Sequence, residues 1–267
     1  MLEFLTHLYD SGLGYSALNT ARSALSQIIT TKRGHMTVGN HPWVVRFMRG
    51  VYNLRTPTPR YSDTWDVGQL LRVLRRMSPV AKLSLKDLTL KLTALVAIIL
   101  AARPQMLVAL KLHQMVLKKA KACFTIASTD LKQGRPGYTP ELVVLHAYPV
   151  DRGLCVLTVL TEYLKRTEDL RGNENQLFIS YIEPHARVSI ASVSRWVKTM
   201  MVRARIDTSK YKPHSIRAAS SSRAHTAGVP LEAIMKTAGW TNAKTFANYY
   251  NKQIKNTSQY SEAVLSK

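Results

Sequence analysis

The stretch from Pro213 to Tyr250, PHSIRAASSSRAHTAGVPLEAIMKTAGWTNAKTFANYY, decides the fold of this chain. Its apolar spacing and its Gly and Pro breaks predict three short helices, over 215–226, 231–238 and 245–251. His214 and Arg217 lie three residues apart, so on a helix their side chains share one face. Two phenols, Tyr249 and Tyr250, end the stretch. Because neighbouring helical residues point about 100° apart, only one of them can face the arginine side.

The region before this stretch is predicted to be mainly α-helical with one small β-sheet. Thr64 is expected to cap a helix that starts at Trp65, and Ser84 to cap the helix that follows. Two β-rich runs flank the turn sequence KQGRPG and predict a β-hairpin. The predicted strands cover 122–128 and 141–146, and the predicted helices after the caps cover 65–77, 85–101, 154–166 and 192–204.

Residues 1–55 are predicted to form a separate helical domain with a basic face. Ser16 is expected to cap its second helix, and a third helix is expected over 43–51. The sequence RTPTPR follows, and two prolines at alternate positions favour an extended chain. This composition predicts an interdomain linker over 56–62 and a second domain over 63–267; an ordinary long loop is the alternative.

The charge balance indicates a polyanionic partner. There are 38 Lys and Arg residues against 16 Asp and Glu, a formal net charge of +22. A folded domain with that charge repels itself unless a polyanion neutralises it, and nucleic acid is the commonest such partner. A ribosomal-type protein or a merely soluble basic surface is the alternative.

Other classes of protein find little support in the composition. No apolar run reaches 18 residues, so no membrane span is expected, and the N-terminus shows no secretory signal pattern. Cys123 and Cys155 each lie between apolar neighbours and are predicted to be small buried hydrophobes. No Cys and His cluster has zinc-ligand spacing. A hydrophobic fraction of 46% indicates a globular protein rather than a disordered one.

Four separated motifs resemble, in order and spacing, those of the tyrosine recombinase or phage integrase family. They are LAARPQMLVAL around Arg103, the turn DLKQGRPG around Lys132, the box PHSIR with His214 and Arg217, and AGWTNAKTFANYY, in which Tyr249 lies nine residues after Trp240. The resemblance covers roughly residues 65–251, and the first segment is similar to the family's core-binding domain. It implies a mainly helical core-binding domain followed by an α+β catalytic domain, which together clamp double-stranded DNA.

The resemblance also implies a chemistry that needs neither metal nor cofactor. Arg103 and Arg217 would grip the scissile phosphate, and Tyr249 would attack it to form a 3′-phosphotyrosine. His214 would assist proton transfer, Trp240 would donate a hydrogen bond or pack the site, and Lys132 would protonate the departing 5′ oxygen. Two alternatives stay open: Tyr250 rivals Tyr249 as nucleophile, and Arg135 rivals Lys132 as a phosphate contact.

Finer likenesses extend the expectation. Phrases around Arg22, Pro59 and Arg103 resemble the recombinases of DIRS-like retrotransposons, and the G-W box is Cre-like. They imply recombination or integration of a mobile element by a homo-tetramer on paired DNA sites in the nucleus. The family usually has an acidic residue where this chain has Met106, which favours a catalytically inactive DNA-binding relic as the alternative. A type IB topoisomerase-like enzyme is a further alternative, and a general RNA-binding protein is a more distant one.

Overall fold

The computed structural model describes residues 1–29, 36–57, 61–127 and 142–254. The chain divides into two compact units, Met1–Arg60 and Tyr61–Lys267, and each is described by itself. The predicted fold class, mainly α-helical with small sheets, is confirmed. Among the described residues, no helix is both long enough and apolar enough to cross a bilayer.

The first unit is built from three helices around a small apolar core. They are α1 (Leu2–Asp10), α2 (Tyr15–Ile28) and α3 (Pro42–Leu54), with a short 3-10 turn at Val38–Asn40. The buried side chains are Leu5, Leu18, Val44, Met48 and Val51. Pro42 occupies the first turn of α3, where its missing N–H costs nothing, and the His41 ring accepts the Trp43 N–H. The expectation that Ser16 caps α2 is wrong. The helix begins at Tyr15 and its N-cap is Gly14, so Ser16 lies inside the first turn.

The second unit carries the remaining helices and all the described strands. Its helices are α4 (Val67–Arg76), α5 (Leu85–Ile99), α6 (Pro104–Val108), α7 (Val156–Thr167), α8 (Ile190–Arg203), α9 (Ile216–Thr226), α10 (Leu231–Ala238) and α11 (Ala243–Thr245). Its strands are β1 (Asp63–Thr64), β2 (Met115–Lys118), β3 (Lys121–Thr125), β4 (Leu142–His146) and β5 (Gln253–Ile254). Short 3-10 turns lie at Val80–Lys82, Leu112–Gln114 and Pro213–Ser215.

The main sheet has one strand more than the sequence predicts. β2, β3 and β4 form an antiparallel sheet in that order, and β2 was missed because its side chains are mostly exposed. Along β3 and β4 every second side chain is buried, namely Ala122, Phe124, Val143 and Leu145, so one face packs on the core.

A second, parallel pair joins the two ends of this unit. β1 pairs with β5 through Asp63 opposite Gln253 and Thr64 opposite Ile254. The prediction that Thr64 caps α4 is therefore wrong. The cap is Asp66, whose Oδ1 accepts the Gly68 N–H at 2.8 Å. A carboxylate at this position satisfies an orphan N–H and complements the positive end of the helix dipole.

Helix α5 is the centre of the large core, and Leu88, Leu92, Leu95 and their neighbours are buried along most of its length. The predicted cap is confirmed, because Ser84 Oγ accepts the Asp87 N–H at 3.1 Å. A helix that is apolar on nearly every side must be enclosed, and α7 and α8 flank this one. The end of α5 therefore holds a fixed position, and it leads directly to Arg103.

The two cysteines differ in their surroundings. Cys155 is buried and accepts the Tyr148 N–H at 3.3 Å through its Sγ, as expected of a small core residue. Cys123 is only half-buried, because its position in β3 faces away from the buried side of the sheet. Both are free thiols.

Candidate active site

The first arginine of the candidate site lies at the junction between α5 and α6. The chain leaves α5 through Ala101, which takes a left-handed conformation with φ of 43°. Arg103 then stands at the N-terminal boundary of α6, and Pro104 fills the first helical position. Few non-glycine residues adopt positive φ, so this conformation marks a sharp change in the direction of the backbone. It leaves the Ala101 carbonyl available to a partner from another helix.

That partner is Arg217, which is 3% exposed. Its Nη1 donates to the Ala101 carbonyl at 2.6 Å, and its Nη2 donates to the Ala238 carbonyl at 2.9 Å. Burial and then the nearby charge of Arg103 lower the pKa of Arg217 to about 10. That value stays well above neutral pH, so the guanidinium keeps its charge. The two arginines are thus close enough to repel each other.

Trp240 is placed beside Arg217 by the end of α10. Gly239 ends that helix in the left-handed conformation, with φ of 64°, and the Trp240 N–H donates to the Met235 carbonyl. Glycine is favoured here because it adopts this conformation without a Cβ clash. The Trp240 ring is buried, with the Arg217 guanidinium 5.1 Å from its centroid. We call Arg103, Arg217 and Trp240 the arginine cluster.

Two donors of the arginine cluster have no hydrogen-bond partner among the residues that the structure describes. Arg217 Nε and Trp240 Nε1 are both buried without a hydrogen bond. A buried N–H without an acceptor costs about 1–3 kcal/mol, so native proteins keep few of them. An unpaired guanidinium N–H and an unpaired indole N–H, close to the second guanidinium of Arg103, are suited to an anion with several oxygens. Among the residues that the structure describes, no group of three or more His, Cys, Asp and Glu side chains could hold a metal ion.

The two tyrosines occupy positions opposite to the expectation. Residues Phe246–Tyr250, which we call the tyrosine turn, form a π-helical turn in which the Asn251 N–H donates to the Phe246 carbonyl. Tyr250 stacks on Trp240 with ring centroids 4.5 Å apart, and the Arg217 guanidinium lies 5.5 Å from its ring. Tyr249 is 59% exposed. The expectation assumed an α-helix, but a π turn holds about one residue more and rotates both side chains.

His214 precedes the helix that carries Arg217 and is not part of it. It belongs to the 3-10 turn that precedes α9, and its ring packs on Tyr61 with centroids 5.7 Å apart. The neighbouring Ser215 hydroxyl accepts the Trp65 indole N–H at 2.9 Å. The expectation that His214 and Arg217 share one face of an α-helix is therefore corrected. His214 lies in the 3-10 turn Pro213–Ser215, and Arg217 lies in α9.

Two further predictions concern the surroundings of the arginines. Met106 is half-buried and packs against the main core, so its side chain contributes apolar contact where the family usually has a carboxylate. Lys132 and its rival Arg135 lie outside the described residues, and their assignments stay predictions.

Sequence reasoning missed the residues that hold the cluster through the backbone. Ala101 and Ala238 act through their carbonyls, and no side-chain motif marks them. Ser222 was also missed: its hydroxyl donates to the Tyr250 carbonyl at 2.6 Å and accepts the Lys252 N–H at 3.0 Å. Only its place on α9, near Arg217, could have suggested a role.

Three comparisons with known proteins bear on this geometry. A model of the phage integrase family matches residues 67–256. A comparison with curated protein sequences found no match.

Solved recombinase structures share the fold at low sequence identity. The post-cleavage complex of the XerH site-specific recombinase with palindromic difH substrate has 15% identity and a TM-score of 0.60, over 97% of this chain and 70% of that one. The XerA recombinase has 16% identity and a TM-score of 0.56, over 99% and 90%. A lambda integrase (75–356) dimer bound to a COC′ core site has 15% identity and a TM-score of 0.58, over 96% and 80%.

Proposed function

We propose, from the premise that this chain belongs to the phage integrase family, that it cuts and rejoins DNA strands as a site-specific recombinase. The observation that carries the proposal is the arginine cluster. Arg217 is buried with its charge, Arg103 stands close enough to lower its pKa, and two buried N–H donors have no acceptor within the described part of the chain. A phosphodiester would neutralise the repulsion and accept those hydrogen bonds.

The cluster suits the charge that develops during attack on phosphorus. As the phosphorus becomes pentacoordinate, negative charge grows on its non-bridging oxygens. Fixed donors aimed at such oxygens stabilise the transition state more than the ground state. Arg103 and Arg217 would supply charged, forked donors, and the Trp240 indole N–H can only donate. Because two protein carbonyls already hold Arg217, little reorganisation is needed.

Tyr249 is the proposed nucleophile, on its spacing from Trp240. Its phenol would form a 3′-phosphotyrosine and release a 5′ hydroxyl, and a second 5′ hydroxyl would reverse the step on a new partner strand. His214 would assist removal of the phenol proton, and Lys132 would protonate the leaving oxygen. The energy of the broken bond stays in the phosphotyrosine, so the cycle needs no external energy source.

The biological setting is proposed from the composition and from the sequence resemblance. The net charge of +22 supports duplex DNA as the partner. A homo-tetramer on paired sites, a role in integration of a DIRS-like mobile element, and residence in the nucleus rest on the sequence resemblance.

A second function, DNA binding without cleavage, is favoured by Met106. This side chain packs on the core beside Arg103 and offers no carboxylate to support the site. Such a protein would keep the charge and the fold but lose the covalent step.

Covalent trapping separates the two functions. Short duplexes of randomised sequence, each with a nick in one strand, lose the cut fragment after cleavage and leave the enzyme attached to DNA. We expect an adduct that survives denaturing detergent with the natural chain and no adduct with Tyr249→Phe. Duplex binding without any adduct would contradict the recombinase and support the second function. Sequencing the trapped DNA would identify the target site.

A further inference from the structure

Tyr250 occupies the place beside the arginine cluster that a nucleophile would need. Its ring is stacked on Trp240 at an interplanar angle of 27°, and its phenol acts on Arg217 in the direction that raises the pKa of the guanidinium. Tyr249, the residue that the motif spacing selects, is mostly in solvent. The described arrangement is therefore one in which the neighbouring phenol, and not the proposed nucleophile, contacts the cluster.

The geometry of the tyrosine turn explains how the two phenols could exchange. An α-helix has about 3.6 residues per turn, and i→i+5 bonding makes a π turn about one residue wider. Tyr250 lies four residues after Phe246, and in a π turn that step rotates the side-chain direction by about 320°. Tyr249 lies three residues after Phe246, and in an α-helix that step rotates it by about 300°. The direction that Tyr250 takes in the π turn is thus nearly the direction that Tyr249 would take in an α turn. The difference is small beside the ~100° that separates neighbours on a helix.

We propose that Tyr250 is a positioning residue, which fills the nucleophile's place on the arginine cluster before DNA binds and gives it up to Tyr249 when the turn becomes α-helical. This inference rests on the proposed function. It assigns the tyrosine turn two states, a π state that is closed to cleavage and an α state that is competent for it.

The contacts that hold the π state come from α9 and from the residues that lead into the β1–β5 strand pair. Ser222 binds the Tyr250 carbonyl and the Lys252 N–H, and the Lys252 Nζ donates to the Asn248 carbonyl at 3.3 Å. The next residue, Gln253, begins β5, which pairs with β1. Each of these hydrogen bonds joins one side chain to one backbone group, so a bound phosphate that outcompetes Tyr250 for Arg217 can shift the balance between the two states.

A fluorine label reports the exchange directly. In one protein 4-fluorophenylalanine replaces Tyr250 in the Tyr249→Phe background, and in a second it replaces Tyr249; neither can cleave DNA. We expect the label at 250 to show the ring-current shift of a stacked ring in the free protein and to lose it when duplex DNA is added. The label at 249 should change in the opposite sense. The probe is the duplex recovered by trapping, or random-sequence duplex if none is recovered.

Tyr181 provides a matched control, because it also packs on a tryptophan, Trp196, with centroids 5.5 Å apart. A label there should not move. A label at 250 that keeps its shift on saturation with DNA would overturn the proposal, as would peptide mapping that finds the adduct on Tyr250. Absence of any adduct would count against the proposed function instead, and the labels would still decide whether the two rings exchange.

Adduct kinetics give a second readout. Tyr250→Phe keeps the stacked ring but removes the hydroxyl that competes for Arg217. We expect adduct formation to become faster by at most about tenfold, because the lost contact with the guanidinium is worth no more than one net hydrogen bond. Slower adduct formation by this variant would contradict the proposal, because it would make the phenol a helper of the reaction rather than a competitor.

Discussion

The arginine cluster and the tyrosine turn belong to one candidate site but are held in different ways. Arg217 is fixed by two hydrogen bonds, to the carbonyls of Ala101 and Ala238, and both alanines belong to a small apolar cluster with Trp240 and Phe246. The tyrosine turn begins at the buried Phe246 and ends at Tyr250, whose ring stacks on Trp240 and whose carbonyl accepts from Ser222, but Tyr249 between them is exposed. The difference indicates that the phosphate-binding half is built in advance and that the nucleophile-bearing half depends on the state of one helical turn.

Changing the length of the tyrosine turn should have the largest effect, because it decides which phenol reaches the cluster. Deletion of Ala247 makes Tyr250 the third residue after Phe246, the place that Tyr249 has in the natural chain. We expect Tyr249→Phe to form no adduct and the same protein lacking Ala247 to regain one, on Tyr250, as mapped by proteolysis and mass spectrometry.

The matched control deletes Ala247 from a protein in which both tyrosines are phenylalanine, and it should stay inactive. If the Tyr249→Phe protein that lacks Ala247 keeps its circular dichroism and its DNA binding but forms no adduct, helical register does not select the nucleophile.

Replacement of Arg217 tests the other half of the comparison. Arg217→Ala leaves the Ala101 and Ala238 carbonyls buried without their donors, at about 1–3 kcal/mol each. We expect the free energy of unfolding to fall by about 3 kcal/mol, measured by urea denaturation, besides the loss of the adduct. Arg223→Ala on the same helix is the control. Arg223 is half exposed and pairs with Asp66 at 3.3 Å, so its loss should cost less than about 1 kcal/mol. Equal losses for the two variants would show that Arg217 does not hold the helix ends together.

The contrast between the two halves also shows what the sequence could predict. The order and spacing of the motifs were enough to group Arg103, Arg217 and Trp240, because each motif lies at a helix end that the chain marks with Pro or Gly. Which of the two phenols contacts the cluster was not predictable from the same spacing, since it depends on whether one turn is α or π. Thr64 illustrates a second limit: its pairing with Ile254 joins residues at opposite ends of the unit, and local cap chemistry carries no information about it.

Lys91 gives a test of the half of the site that is built in advance. It is buried in α5, the helix that leads to Arg103. Its Nζ donates to the Met77 carbonyl and lies 3.3 Å from Ser78 Oγ. Burial lowers the pKa of Lys91 from 10.5 to about 8. The folded state therefore binds fewer protons than the unfolded state between these two values, and stability rises with pH across that interval. We expect the free energy of unfolding to increase by about 1 kcal/mol from pH 7 to pH 9 through this group.

The Lys91 prediction is checked by urea denaturation at both pH values in the natural chain, in Lys91→Met and in Lys86→Met. Lys86 is exposed on the same helix, so its variant should keep the natural pH dependence, whereas Lys91→Met should lose it. Identical pH profiles for the natural chain and Lys91→Met would mean that the amine is as well solvated in the folded protein as in the unfolded one.

The smallest expected effect concerns two residues with positive φ. They orient the two backbone carbonyls that accept hydrogen bonds from Arg217. Ala101 has φ of 43° and presents its own carbonyl, and Gly239 has φ of 64° directly after Ala238. Ala101→Gly would relieve a left-handed alanine, worth about 1 kcal/mol, but would also remove a buried methyl worth about 0.8 kcal/mol. We therefore expect a change in unfolding free energy within about 0.5 kcal/mol, whereas Gly239→Ala introduces the strain of a left-handed alanine and should cost about 1 kcal/mol. A loss near 1 kcal/mol for Ala101→Gly would show that the methyl, packed against Trp240 and its neighbours, matters more than the backbone strain. The fixed half of the site would then owe its geometry to side-chain packing rather than to the turn that presents the carbonyl.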